Sequence, residues 1–147
     1  MGIIQAALLP DDHTIVETTP YNYRILVVDD NEASAKTLMW TMEMLGHTVQ
    51  AAFDGQTAIT IAKTFLPEIV VLDIGMPGMN GYETCQAMHK ILALNNTTFI
   101  ALTGWGQEEH KQRSKEAGFT YHLVKPLDMP VIKAILLILD KKRYKLG

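Results

Sequence analysis

The stretch Ile69-Val-Val-Leu-Asp73, followed at once by Ile74-Gly-Met-Pro-Gly-Met-Asn-Gly81, decides the fold. An aliphatic run ends on a single acid, and the loop behind it is rich enough in Gly and Pro to expose that acid. Three further runs have the same build: Arg24-Ile-Leu-Val-Val-Asp-Asp30, Phe99-Ile-Ala-Leu-Thr103 and Tyr121-His-Leu-Val-Lys125. Short apolar runs rich in β-branched residues and separated by helical stretches read as parallel strands covered on both faces. The segment 47–53 reads as one more strand. Helices are expected over 31–45, where Gly46 supplies the stop, over 54–66 with Asp54 as cap, and over 81–94, 107–117 and 128–141. Five strands alternating with five helices through right-handed crossovers predict an α/β fold, a doubly wound five-stranded parallel sheet of order 2-1-3-4-5. Its ligand crevice lies at the carboxyl ends of the strands, at the switch point between strands 1 and 3. Asp29, Asp30, Asp73, Thr103 and Lys125 are expected to meet there.

At 147 residues the chain is long enough for one domain with a substantial core, and 48% hydrophobic content with charges of both signs is ordinary for a globular protein. A net charge of −3 argues against a nucleic-acid surface, which needs clustered Lys and Arg. The one basic cluster, Lys141-Lys-Arg-Tyr-Lys145, reads as decoration of a helix end. The single Cys85 excludes an internal disulfide, fits a reducing compartment, and reads as a half-buried helix residue. No apolar segment approaches the ~20 residues of a membrane span, and residues 2–9 lack the basic lead-in of a signal peptide, so a cytoplasmic location is expected. The organisation expected is an extension or linker over 1–22, a domain over 23–141 and a basic tail over 142–147. His13, His47, His89 and His110 show no metal-ligand spacing and read as solvated; Trp40 and the methionines near it read as packing.

Three carboxylates held together repel, and a cation is needed to keep them ionised. Mg²⁺ suits them, because it takes octahedral oxygen ligands, often one or two carboxylates together with phosphate oxygens. Lys125 adds a compact positive charge and Thr103 a hydroxyl, so the constellation reads as a phosphoryl site. An Asp can itself accept a phosphoryl group, and Asp73, alone at the end of the central strand, is the candidate.

In these motifs, residues 23–139 resemble the receiver domain of bacterial response regulators in two-component signalling. The agreement rests on Asp29-Asp30, on Asp73 with Met76-Pro77 and Gly81 behind it, on Thr103, and on Lys125-Pro126, all in order. The resemblance implies a flavodoxin-like receiver fold and a phosphorylation-dependent switch. Asp73 would take the phosphoryl group from a phosphohistidine on a histidine kinase or histidine phosphotransfer protein. Asp30, Asp73 and the carbonyl of Gly75 would bind Mg²⁺, with Asp29 acting through a metal-bound water. Lys125 would contact the acyl phosphate, and Thr103 would swing toward it, drawing the residue at position 122 inward. The family has Tyr or Phe at that position, and this chain has His122. Tyr121 beside it points to the other face of the strand. The resemblance also implies a cis Lys125-Pro126 bond and places Trp105 at the mouth of the site, as a loop aromatic or a lid.

Two other readings are set against this one. A phosphatase of the haloacid dehalogenase type has a second Asp two residues after its nucleophile, where this chain has Gly75. A receiver that has lost its chemistry usually lacks an acid or the lysine, and none is missing here. In the last helix, Ile132, Leu136 and Leu139 form one apolar stripe and Val131, Ile135 and Ile138 a second. Such width calls for cover on two sides, by a partner, by a second copy of the chain in a homodimer through this helix, or by residues 3–9 folding back.

Overall fold

The computed structural model describes residues 5–8, 15–18, 21–104, 108–125 and 127–146, and for 5–8, 15–18, 108–111 and 144–146 it describes the backbone. Two short strands, β1 (Gln5–Leu8) and β2 (Ile15–Thr18), pair antiparallel within the stretch expected to be an extension. The segments that follow are β3 (Arg24–Val28), α1 (Glu32–Met44), β4 (Thr48–Ala52), α2 (Gly55–Phe65), β5 (Ile69–Asp73), α3 (Gly81–His89), β6 (Thr98–Thr103), α4 (Glu108–Ala117), β7 (Tyr121–Val124) and α5 (Met129–Leu146). The sheet runs β4-β3-β5-β6-β7, all parallel, which in chain order of its strands is 2-1-3-4-5.

All five residues of β5 are buried, as a central strand covered on both faces requires. Alternate residues serve the two faces. Leu26, Val28, Val70, Leu72, Phe99 and Ala101 join the core on the α2–α3–α4 side. Ile25, Val27, Val71, Ile100 and Leu102 meet Ala35, Met42, Ile132 and Leu136 on the α1–α5 side.

Helix starts are fixed by side chains at the active edge of the sheet. Asn31 accepts from the Ser34 N–H at 3.0 Å and Asp54 from the Thr57 N–H at 2.7 Å, while Asn80 and Glu83 form a reciprocal capping box. Gly46, at φ +97°, closes α1 in the left-handed conformation that the sequence called for.

Two boundaries and one helix face differ from the sequence reading. The helix expected over 81–94 stops at His89 and resumes as a single 3₁₀ turn, Leu92–Leu94, because only Leu94 of that turn reaches the core. Helix α5 passes its expected end at 141 and continues through the basic cluster to Leu146. Within it, Ile135 is buried with Ile132, Leu136 and Leu139, so the outward apolar line consists of Val131, Ala134 and Ile138, not Val131, Ile135 and Ile138.

Candidate phosphoacceptor site

The strand ends bring together what the sequence assigned to them. One carboxylate oxygen from each of Asp29, Asp30 and Asp73 lies within 4.8 Å of the other two. Asp29 and Asp73 are buried and Asp30 is exposed, so the trio opens toward solvent on one side. Lys125 reaches the trio from the far side of β6. Its Nζ donates to Asp29 Oδ2 at 2.7 Å and to Asp73 Oδ2 at 3.3 Å. The other oxygens of both acids accept backbone N–H groups, Asp29 Oδ1 from Asn31 at 3.0 Å and Asp73 Oδ1 from Gly75 at 2.9 Å. These bonds fix both carboxylates against the turns that follow their strands.

Burial alone would lower the Lys125 pKa. The Asp29 hydrogen bond and the charges of Asp73 and Asp29 outweigh it, and the net direction is upward. The ammonium therefore stays charged at neutral pH.

Two backbone features set the acceptor edge. The Lys125 N–H donates to the Thr103 carbonyl at 2.7 Å, tying the end of β7 to the end of β6. Gly81 begins α3 directly behind the acceptor: a Cβ there would stand 2.6 Å from the carbonyl oxygen of Asp73 and from Cα of Ile74. Only glycine lets the helix start this close.

Thr103 is buried at the end of β6, where it pairs in register with Val124. His122 is half-buried on the α4 side, its Nδ1 sharing a 2.9 Å hydrogen bond with Ser114 Oγ. Tyr121 packs on the opposite, α1–α5 side. Ser114 is a residue that the sequence reading missed. It is fully buried three positions before the buried Ala117, a spacing that was available as a signal. Trp105, Pro126 and the bond that joins Pro126 to Lys125 lie outside the described residues.

Other expectations need correction. His47 is buried, not solvated: its Nδ1 accepts the Tyr23 N–H at 3.1 Å. Burial lowers its pKa, against the opposing charge of Glu68. Tyr23 in turn donates its hydroxyl to Asp140 Oδ1 at 2.7 Å, and Arg143 bonds Glu68 at 3.3 Å, which clamps the end of α5 at the opposite edge of the sheet. His89 is exposed but engaged, with Nε2 3.1 Å from the Gly118 carbonyl and its ring on Phe99. Cys85 is fully buried, and burial pushes its thiol up to about 12, so it is no nucleophile. Trp40 is 57% exposed and Met44 85%, where core packing was expected.

Comparison with known proteins gives the same answer as the geometry. The family model described as "Response regulator receiver domain" matches residues 25–137. The chain belongs to that family. Protein PilH of Pseudomonas aeruginosa is 32% identical over 117 residues, covering 77% of this chain and 97% of PilH. Response regulator PleD of Caulobacter vibrioides is 33% identical over 105 residues, which are 71% of this chain and 23% of PleD. The signal transduction histidine-protein kinase BarA of Escherichia coli is 28% identical over 97% of this chain and 15% of its own length. The chain thus spans a minor part of PleD and BarA and almost the whole of PilH. Among solved structures, the Vibrio cholerae chemotaxis protein CheY4 superposes with a TM-score of 0.75 at 28% identity, over 80% of this chain and 98% of its own. The receiver is a signalling module of two-component systems, and its family binds Mg²⁺ in an acidic pocket of the kind that Asp29, Asp30 and Asp73 form. No helix among the described residues is long and apolar enough to cross a membrane.

Proposed function

We propose that this receiver is a phosphorylation-dependent switch whose acceptor is Asp73. The observation that carries the reading is the setting of the Asp73 carboxylate, held between the Lys125 ammonium and the Gly75 N–H beside two further acids. The donor is a phosphohistidine on a histidine kinase or histidine phosphotransfer protein. An Asp73 oxygen attacks phosphorus, the O–P bond forms as the P–N bond breaks, and the electron pair leaves with the imidazole.

The donor set fits Mg²⁺, since it is all oxygen, anionic and open to solvent at Asp30. Asp30, Asp73 and the Gly75 carbonyl would hold the ion directly. Asp29 would act through a metal-bound water, as the resemblance to the family implies. When bound, Mg²⁺ offsets the charge of the acids and of the phosphoryl oxygens. Lys125 turns from Asp73 to a phosphoryl oxygen, and the Thr103 hydroxyl donates to another. His122 carries the response outward, because its hydrogen bond to Ser114 joins the strand end to α4. A cytoplasmic location belongs to the same reading. So does self-association through α5, supported by the exposed Val131 and Ile138.

The test is incubation with Mg²⁺ and acetyl phosphate followed by intact mass. One phosphoryl group is expected on the wild type and none on Asp73→Asn. Undiminished labelling of that variant, mapped to another residue, would end the assignment.

A further inference from the structure

The outward face of α1 carries large apolar side chains that the phosphoacceptor site does not use. Ala35 and Met42 turn into the core, and Trp40 stands roughly 150° round the helix from them, with Met44 one turn further on. Both Trp40 and Met44 are more than half exposed. The face is also charged, and its charges are ordered. Lys36 and Glu43, both exposed, lie on the β4 flank of Trp40, where the Lys36 ammonium stands 6.0 Å from the centre of the Phe53 ring. Thr37 and Met44 lie on the α5 flank, where Thr37 lines the cleft between the two helices.

A surface that pairs with its own copy across a two-fold axis must be self-complementary. With the axis laid across α1 at Trp40, two copies of the helix run antiparallel, and each residue meets the one about equally far beyond Trp40 on the same flank. Lys36, four residues before Trp40, then meets Glu43 of the second copy, three residues after it, and the symmetry makes this contact twice. Met44 meets the methyl group of Thr37, whose hydroxyl hydrogen is already given to the Ala33 carbonyl at 2.8 Å. Trp40 meets its own copy at the centre, where association energy concentrates. A parallel pairing sets Lys36 against Thr37 and matches no charges. The bond that Lys36 makes within its own helix, to Glu32 at 3.8 Å, is loose and solvent-exposed, so it holds the ammonium only weakly.

The outward surface of α5 reaches the same axis. Both helices cover one face of the sheet and start at its active edge, α1 after its cap Asn31 and α5 after Asp128, which accepts the Val131 N–H at 3.0 Å. Trp40 comes nine residues after its cap and Ile138 ten after its own, so both stand ~14–15 Å along their helices from that edge. An axis across the two helices passes over both side chains.

We propose that this chain forms a two-fold dimer in which α1 packs antiparallel on α1 of a second copy, with Trp40 at the axis and Lys36 paired with Glu43 of that copy. The inference rests on the self-association through α5 put forward above, and it adds the helix that forms the centre of the contact and the register that aligns the copies. It does not depend on Asp73 being the acceptor.

The test is sedimentation velocity of the full chain up to ~0.5 mM, with charge reversals at the two exposed positions. Wild type should dimerise. Lys36→Glu and Glu43→Lys should each weaken the dimer at least ~10-fold, because each sets like charges together at both contacts. An equimolar mixture of the two variants should associate within ~3-fold of wild type, since every contact between unlike chains then pairs opposite charges. The double variant Lys36→Glu/Glu43→Lys, unchanged in net charge, should dimerise as wild type does, and it replaces the mixture where a single variant does not fold. A wild type that stays monomeric at ~0.5 mM would overturn both this dimer and the association through α5. A dimer that Ile138→Lys breaks but neither charge reversal weakens, a mixture no tighter than its components, or a folded double variant that stays monomeric would overturn the α1 register and leave the α5 contact standing. Acetyl phosphate labelling plays no part in these outcomes, so failure here and failure of the phosphoacceptor assignment are separable.

Discussion

Replacing Lys125 by Met asks how far one ammonium holds the acidic cluster together. At an effective dielectric constant near 20, its 2.7 Å contact with Asp29 has a gross Coulomb energy of about 6 kcal/mol and its 3.3 Å contact with Asp73 about 5 kcal/mol. Most of this offsets the desolvation of the groups involved, and breaking a buried pair costs ~3–5 kcal/mol in measured cases. Lys125 keeps 30% of its side chain exposed, while Asp29 and Asp73 keep 3% and 10%. The lower end, about 3 kcal/mol, is therefore expected. The substitution leaves two buried carboxylates beside a third with no cation among them. Mg²⁺ should restore what the lysine supplied. At 100 times its dissociation constant, a ligand of the folded state adds about 2.7 kcal/mol, enough to recover most of the loss.

The assay is urea unfolding of wild type and Lys125→Met over a series of Mg²⁺ concentrations. Without Mg²⁺ the midpoint of the variant should fall by ~1–3 M, given a slope of ~1–3 kcal/mol per molar. With Mg²⁺ it should recover by more than the wild type gains, because the wild-type cluster is already partly neutralised. A variant as stable as wild type in Mg²⁺-free buffer, or equal stabilisation of both proteins by Mg²⁺, would refute the reasoning.

Gly81→Ala should cost ~2–3 kcal/mol and slow labelling of Asp73, because the new Cβ meets backbone that cannot turn aside; a melting temperature within a degree of wild type would contradict it. His47 carries a pH dependence whose sign follows from its burial. Its folded pKa lies below 6.5, so its contribution is fully present above that value and is lost as pH falls through the folded pKa. His47→Gln should flatten the stability profile between about pH 7 and 5, and an unchanged slope would assign it to other groups. For α5, Ile138→Lys should reduce the mass seen by light scattering at high concentration if copies pair there, while Ile135→Lys, at 7% exposure, should unfold the chain instead. A wild type that stays monomeric with and without a phosphoryl mimic removes the dimer.

The sheet was legible because its signal is continuous. A strand buried on both faces cannot carry a polar residue until it ends, so each apolar run announces both the strand and the position of its site residue. Asp29, Asp73 and Thr103 stand where that rule puts them, whereas Lys125 follows a half-buried edge strand with His122 inside it and was singled out by its chemistry beside the acids. The opposite edge was not, although weaker signals existed. Tyr23 has the parity of Ile25 and Val27, His47 that of Val49, and Asp140 stands four residues after the buried Leu136. His47 was read as solvated and Tyr23 and Asp140 were given no role, yet each is buried and hydrogen-bonded. Trp40 failed in the other direction. Ala35 and Met42 mark the inward face of α1, and Trp40, five positions after Ala35, sits well round the helix from them. Its size suggested a burial that its position forbids.

The two edges bear on the order in which the site is assembled. Asp29 and Asp73 come from neighbouring strands β3 and β5, which can pair without the rest of the sheet. Paired in that way, the acids converge with nothing to offset them. The neutralising ammonium arrives 96 residues after Asp29, on the last strand, across β6. Long-range contacts of this kind are formed late because the loop they close must be ordered first. Strand β7 leads directly into α5, and α5 is held at its far end by Tyr23 on Asp140 and Arg143 on Glu68. The clamp at one edge thus stabilises the unit that delivers Lys125 to the other. Loosening it should raise the Mg²⁺ that the acidic cluster needs, though the clamp lies at the opposite end of the strands, with Tyr23 at the start of the strand that ends at Asp29 and Glu68 just before the one that ends at Asp73. Tyr23→Phe, which removes one hydroxyl and leaves the ring in the core, isolates that coupling. Its Mg²⁺ titration of stability should shift toward the behaviour of Lys125→Met, by less than the full ~3 kcal/mol because the lysine itself remains. A Tyr23→Phe protein that loses stability equally at every Mg²⁺ concentration would show the clamp to be local packing, with no bearing on the site.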